Sequence, residues 1–251
     1  MTQAPAWLPY CGPGPAPGDL LGRWNLDPWL LAALLAVAAA WLVLEGRRAR
    51  APQRLWGAAA GGLLVLAFIS PLCALTSALF SARVVHHALL VSVTAPLIVM
   101  ALSERRRGPP PGLATATAVQ ALVFWVWHAP AAYGWALSHD AAYWLMQLSL
   151  LGSAMIFWAA VLRASAPAAV AALLATMVQM GLLGALITFA GQPLFAPHLT
   201  TTAAWGLTPL ADQQLAGLIM WAPAAGVYLL SALVLLGRWL GAEGVAGAPA
   251  R

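Results

Sequence analysis

The sequence predicts an all-α polytopic membrane protein, a bundle of about seven transmembrane helices. Of its 251 residues, 62% are hydrophobic and only 8% are charged, whereas soluble domains carry about 25% charged residues. So few charged side chains cannot cover a water-facing surface, and most of the molecular surface must therefore contact lipid. The second observation is that apolar stretches near the ~20 residues needed to span a bilayer recur along the whole chain.

Each apolar stretch predicts one helix. The predicted helices cover residues 28–44, 55–75, 81–102, 113–128, 141–162, 167–189 and 213–240. We therefore expect a Pro- and Gly-rich extracytoplasmic tail (1–27), a seven-helix domain (28–240) and a cytoplasmic tail (241–251). The first tail has no basic segment followed by an apolar one, which favours the first helix, rather than a cleavable signal peptide, as the insertion signal. Pro96 and Pro223 lie inside spans and predict kinks.

The arginines predict the orientation of the bundle. A seven-helix arrangement places ten of them on one side, namely Arg47, Arg48, Arg50, Arg54, Arg105, Arg106, Arg107, Arg163, Arg238 and Arg251. Arg23 and Arg83 fall on the other side, so the positive-inside rule makes the first side cytoplasmic. The N-terminus is then outside and the C-terminus inside a bacterial inner (plasma) membrane. No nucleic-acid partner is expected, because the arginines fill short gaps between apolar helices and form no basic patch.

Side chains that can bind a metal collect on the outer side in this topology. They are His86, His87, His128, His139, His198, Cys11, Cys73 and Asp212. Imidazole and thiolate are common ligands of copper, haem iron and zinc, so the cluster predicts a metal or haem site at the outer face. No ligand spacing is diagnostic, since the chain has neither HxxxH nor CxxC. Two cysteines are too few for a disulfide framework, and whether Cys11 and Cys73 pair stays open.

Structural roles compete with ligand roles at several of these positions. His128 suits a helix C-terminus, where imidazolium complements the dipole. His139 and His198 lie in predicted loops, where histidines are more often solvated. Asp212 resembles an ordinary N-cap of the last helix.

His86 and His87 differ from these because they lie below the membrane surface, where an ionisable group is costly. We expect His87, which shares a helix face with Arg83, to be functional. The chain has no Ser-His-Asp arrangement, no Gly-rich phosphate loop and no paired carboxylates inside a span. It is therefore expected not to be an enzyme.

Four segments resemble motifs of the CtaG family, multi-pass assembly factors of caa3-type cytochrome c oxidase. They are LFSARVVHHALL at 79–90 followed by Ala95-Pro96-Leu97, WHAPAAY at 127–133, MGLLGA at 180–185 and DQQLAGLIMW at 212–221. The resemblance implies a role in maturing a haem-copper oxidase, with copper supply to it, and carries over His87, His128 and Asp212 as motif residues. The implied partners are oxidase subunits or assembly intermediates, besides membrane lipid.

The sequence departs from the family at two places. Arg83 stands where many members have a histidine four residues before the one that matches His87, and Met146-Gln147 stands where members often have Glu-His. A fully histidine-based site is therefore in doubt. Two other functions stay open, a small membrane haem protein that carries electrons and a transporter of a small solute.

The site hypothesis places copper, as Cu(I), near the outer surface between the third, fourth and seventh helices. His87 needs a partner at its depth, and His128 ends the next helix at the same face. Asp212 would orient a histidine through its second ring nitrogen. Met220 and Cys73 would supply the sulfur ligands that suit Cu(I), and His86 is a substitute ligand.

Overall fold

The computed structural model describes Trp7 and residues 9–46, 49–102 and 112–246, with side chains described through residue 241. The described chain is all-α, which confirms the predicted fold class. Its α-helices are α1 (Pro28–Trp41), α2 (Ala51–Phe68), α3 (Pro71–Ala78), α4 (Phe80–Ala88), α5 (Ala95–Ala101), α6 (Leu113–His128), α7 (Pro130–Ala136), α8 (Asp140–Val161), α9 (Ala166–Thr188), α10 (Pro209–Ile219) and α11 (Ala225–Ala246).

Helices lie at each of the predicted positions. Five described stretches are long and apolar enough to cross by themselves: Pro28–Gly46, Phe80–Ala101, Asp140–Val161, Ala166–Thr188 and Pro209–Gly241. The pair α2–α3 forms a sixth if it counts as one broken span, and α6 is a shorter apolar helix. The total of seven spans and the orientation stay predictions. The arginines at 47–48, 105–107 and 251 lie outside the described residues.

The second predicted helix is broken, contrary to the expectation of one span over residues 55–75. Helix α2 ends at Phe68, and α3 starts at Pro71 with its axis bent by 46°. Ser70 caps the new helix, because its Oγ accepts a hydrogen bond from the Leu72 N–H at 3.2 Å. Serine at the N-cap and proline at the first helical position together start a helix. This start signal therefore divides an apolar stretch that hydropathy alone predicts to be one continuous helix.

Two spans leave α-helical geometry beside their prolines. Pro96 follows a π-helical turn at Leu89–Thr94, and Pro223 lies inside another at Met220–Ala224. Proline has no N–H to donate, so a carbonyl upstream of it needs another donor. The Trp158 indole N–H donates to the Val91 carbonyl at 2.9 Å and thereby joins α8 to this turn. Helix α4, the π turn and α5 are therefore fixed to α8 where the backbone is weakest.

The centre of the bundle is formed by the span α4–α5 together with α8. About half of each is buried inside the protein, 56% for Phe80–Ala101 and 50% for Asp140–Val161, against 11% for Pro28–Gly46. Lipid-facing spans expose apolar side chains freely, so this difference separates central from peripheral helices. The polar residues carried by α4 and α8 are consequently enclosed by protein.

Helices α9 and α10 approach closely through two glycines. A Cβ added at Gly217 would lie 2.5 Å from the Gly184 carbonyl oxygen, and one at Gly184 would lie 2.8 Å from the Gly217 carbonyl oxygen. Both distances are shorter than any side chain tolerates, so backbone meets backbone here, as small residues permit in membrane bundles. This contact fixes α10, which carries Asp212, against the rest of the bundle.

Candidate functional site

The histidines of the third and fourth predicted helices meet at one end of the bundle. His86 and His87 lie near the end of α4, and His128 is the last residue of α6. All three are buried, with exposures of 0%, 1% and 3%. The ring centroids of His87 and His128 are 5.6 Å apart, and those of His86 and His87 are 5.8 Å apart. The structure therefore brings together three imidazoles at the level of the bundle that the sequence predicts to be outer.

His128 uses only one of its two ring nitrogens in a hydrogen bond within the described chain. Its Nδ1 lies 2.7 Å from the Phe124 carbonyl oxygen, one helical turn earlier. A carbonyl can only accept, so Nδ1 carries the proton and Nε2 keeps its lone pair. Within the described chain, Nε2 has no hydrogen-bond partner. The predicted structural role at the helix end and a ligand role are therefore compatible, since each uses a different nitrogen.

His87 is paired with an amide from a third helix. Its Nε2 lies 3.5 Å from the Gln147 amide nitrogen on α8, whereas its Nδ1 has no partner among the described residues. Rotating the amide by half a turn would let its oxygen accept from Nε2–H and leave Nδ1 as a lone-pair donor. Gln147 is thus a site residue that the sequence showed only as a departure from the family pattern.

His86 contacts His87 on its own helix and a residue of α2. Its imidazole packs edge-on against Phe68 at 5.0 Å, and neither of its ring nitrogens is hydrogen-bonded within the part of the chain that the structure describes. It remains a substitute ligand rather than a member of the His87–His128 pair.

Arg83 adds a buried positive charge to the cluster. It lies one turn before His87 and is 0% exposed, and its guanidinium carbon lies 5.4 Å from the centre of the Tyr143 ring. Among the described residues, no hydrogen-bond acceptor meets any of its three nitrogens. A cation–π contact of this desolvated kind contributes about 2 kcal/mol, which only partly offsets the cost of burying the charge. An intramembrane ionisable residue held at such cost is a functional candidate.

Asp212 has a different role from the one predicted. It does not cap its own helix, because α10 begins at Pro209 and the Thr208 hydroxyl accepts from the Ala211 N–H. Its carboxylate instead caps α4, accepting from the Phe80 N–H at 2.7 Å, the Ser81 N–H at 3.2 Å and the Ser81 hydroxyl. Both oxygens are thus used on the positive end of another helix. These contacts tie Asp212 to the start of α4, the helix that carries His87.

The two predicted sulfur ligands have other neighbours in the structure. Met220 is buried in the π turn after α10, and its Cβ lies near Gly184 of α9. Cys73 lies in α3 and is joined to Cys11 by a disulfide, which answers the open question of their pairing. A disulfide sulfur is not a thiolate, so Cys73 offers no ligand in this state.

His198 is the residue whose environment differs most from expectation. A solvated loop histidine was expected, but His198 is only 2% exposed and its Nε2 lies 2.6 Å from the Tyr133 hydroxyl. Burial, with a smaller contribution from the Arg83 charge, lowers the pKa of His198 to about 3. Tyr133 belongs to the WHAPAAY motif, which was the only signal in the sequence for this pair. His139, in contrast, is exposed beside Ser138.

Few described side chains that could ligate a metal surround the histidine pair. No group of three or more His, Cys, Asp or Glu side chains in the described ranges could hold a metal ion. His87 and His128 are neighbouring imidazoles in an edge-to-face arrangement, and each has one ring nitrogen without a partner in the described chain. The Arg83 charge one turn away repels any bound cation and opposes a divalent ion twice as strongly as a monovalent one.

A family comparison identifies the chain. The family model described as cytochrome c oxidase caa3 assembly factor (Caa3_CtaG) matches residues 111–242, a little over half of the 251 residues. The chain belongs to the Caa3_CtaG family. Comparison with curated proteins and with solved structures found no match.

Membership of the Caa3_CtaG family indicates a cytochrome c oxidase assembly factor. This role implies association with the oxidase or its assembly intermediates, and an assembly-factor family is not typically catalytic. The matched region contains His128, Asp212 and Gln147, whereas Arg83 and His87 precede it. The resemblance inferred from the sequence is thereby confirmed at the level of the family.

Proposed function

We propose that the protein assists the maturation of a haem-copper oxidase by handling Cu(I) at the outer face of a bacterial inner membrane, with His87 and His128 as the ion's ligands. The observation that carries the proposal is the pair of buried imidazoles, 5.6 Å apart between centroids. Each ring is held by one nitrogen, to Gln147 or to the Phe124 carbonyl. Each keeps a second nitrogen for which the described chain supplies no partner.

In this proposal, the protein holds the two histidines in position and keeps water away from them. Asp212 fixes the start of α4 and so sets the height of His87 in the bundle. The Nδ1–H bond of His128 fixes its tautomer, as outer hydrogen bonds do for metal-binding histidines. Copper bound to the two rings would be shielded from water, and the repulsion from Arg83 would favour its release to a partner over permanent retention.

Copper binding by the purified protein tests the proposal. Oxidised full-length protein in detergent is titrated anaerobically with Cu(I) against a chromogenic copper chelator. We expect one equivalent to bind to wild type and none to His87→Ala or His128→Ala. His139→Ala is the matched control, since His139 is exposed and away from the pair, and it should bind as wild type does.

Two further readouts separate the proposal from its rivals. In a deletion strain, the His139→Ala variant should restore the copper content and activity of the oxidase, and the two site variants, present at normal levels, should not. Full oxidase assembly with both site variants would contradict the proposal, as would wild type that binds no copper. A Soret band at stoichiometric haem in the purified protein would favour the electron-carrier alternative instead.

A further inference from the structure

The N-terminal segment covers the end of the bundle that holds the histidines. This strap, residues 9–27, contacts elements that are far apart in sequence. Tyr10 stacks on Tyr143 of α8 at 5.1 Å between centroids, the Pro15 carbonyl accepts from the Trp205 indole at 2.9 Å, and the Asn25 amide donates to the Phe68 carbonyl at 3.1 Å. The strap therefore crosses the bundle from the end of α2 to the loop before α10.

The Cys11–Cys73 disulfide joins this strap to α3 immediately outside the buried cluster. Cys11 is partly exposed and Cys73 is fully buried. The Cys11 Sγ lies 3.7 Å from the Tyr143 hydroxyl, and the ring of the same tyrosine lies against the Arg83 guanidinium. A single aromatic side chain thus separates the sulfur pair from the buried charge.

Both sulfurs have a hydrogen-bond donor beside them. The Asn25 amide nitrogen lies 3.7 Å from the Cys73 Sγ, and the Tyr143 hydroxyl lies at the same distance from the Cys11 Sγ. Donors and a nearby cation stabilise thiolates, which are the reactive and metal-binding form of cysteine. A disulfide makes little use of these donors, whereas a pair of thiolates would use both donors as well as the Arg83 charge.

We propose that Cys11 and Cys73, when reduced, form a second Cu(I) site at the mouth of the histidine cluster. The inference rests on the proposed function and adds the entry site and its redox control. Two equivalents of a thiol reductant give up two electrons and two protons, break the S–S bond and leave as their own disulfide. Cu(I) then displaces the two thiol protons and stays monovalent. The resulting copper dithiolate carries one negative charge, which the Arg83 cation offsets.

This assignment accounts for features that the histidine pair leaves unexplained. Arg83 opposes a cation at His87 but favours an anionic copper dithiolate beyond Tyr143. Soft thiolates select Cu(I) over harder ions. The ligands exist only in the reduced protein, so the oxidation state of the pair decides whether copper is accepted at the mouth.

Cu(I) titration of the oxidised and phosphine-reduced full-length protein tests the inference without any mutation. We expect the reduced protein to bind one equivalent more than the oxidised protein. Cys11→Ser and Cys73→Ser should lose this additional equivalent under reduction, and His87→Ala should keep it. Maleimide labelling gives an independent readout, in which the partly exposed Cys11 thiol reacts in the reduced protein and bound Cu(I) protects it.

Equal copper stoichiometry in the two redox states would overturn the inference, as would a Cys11 thiol that reacts with maleimide equally well with and without copper. A disulfide that resists the phosphine in the folded protein would overturn it too. If the wild-type protein bound the additional equivalent on reduction but not the equivalent that depends on His87 and His128, that result would instead count against the proposed function. The cysteine site and the histidine site would therefore be contradicted by different results.

Discussion

Replacing Asp212 should uncouple α4 from α10. In Asp212→Ala the Phe80 N–H, the Ser81 N–H and the Ser81 hydroxyl lose their acceptor in a place where Asp212 itself is 0% exposed. A buried donor left without a partner costs about 1–3 kcal/mol. The hydroxyl can turn to another acceptor, so the two N–H groups dominate and we expect a loss of about 4 kcal/mol. Asp212→Asn keeps one acceptor oxygen and should lose about 2 kcal/mol.

Equilibrium unfolding in mixed micelles, followed by tryptophan fluorescence, measures these losses. Asp140→Ala is the matched control, because Asp140 is also an acidic residue in the first turn of a helix but is exposed. Its interaction with the helix dipole is worth at most about 1 kcal/mol. From most to least stable, the predicted order is wild type, Asp140→Ala, Asp212→Asn and Asp212→Ala.

An Asp212→Ala variant that unfolds within 1 kcal/mol of wild type would contradict this prediction, because a lost buried hydrogen bond should cost about 1–3 kcal/mol. Copper binding distinguishes the cap from the metal-orienting role first expected for this residue. Asp212→Asn should keep the full copper stoichiometry. A variant that loses copper at unchanged stability would show that the carboxylate acts on the metal site.

Three other predictions concern topology, pH and packing. Reporter fusions after Arg163 should report cytoplasm and those after His139 periplasm; the reverse result would invert the bundle. The pKa of His198 is about 3 in the folded protein and about 6.5 when unfolded. As the pH falls below about 6.5, the unfolded state therefore binds the proton first, and the free energy of unfolding at pH ~5 is about 2 kcal/mol lower than above pH 6.5. His198→Gln should lack this part of the pH dependence when unfolding is measured at both values. Gly217→Ala should cost about 3 kcal/mol by overpacking, whereas Gly226→Ala, with open space around its Cβ, should be neutral or slightly stabilising in the same unfolding assay.

The positions of the helices could be predicted from the sequence because each span is defined by composition over many residues. The fourth predicted helix, 113–128, matches α6 at both ends. The proximity of His87 and His128 was predicted from the tendency of consecutive helices to pack together. The rings do lie 5.6 Å apart, although α6 packs mainly against α8 and α9. Hydropathy averaged over many residues does not detect a local helix start, such as Ser70-Pro71, which begins α3 within the second predicted span.

The contacts of Asp212 and His198 could not be predicted from local pattern. Phe80 and Asp212 are separated by 132 positions, and nothing near Asp212 shows whose N–H groups its carboxylate will meet. Thr208-Pro209 was the better start signal for α10 and would have excluded Asp212 as its cap. His198 is buried beside Tyr133 of α7 and Phe80 of α4, and hydropathy does not determine where the segment that carries His198 runs.

The π turn at Met220–Ala224 has a consequence for how the last span can change in length. A π turn accommodates one residue more than an α-helix would. Loss of one residue inside Met220–Ala224 would turn it into an α-helical turn and leave Asp212 and Tyr228 on the helix faces they now present. Loss of one residue elsewhere between them would rotate one relative to the other by about 100°. Evolution can therefore shorten this span at the π turn without turning the carboxylate that caps α4 away from it.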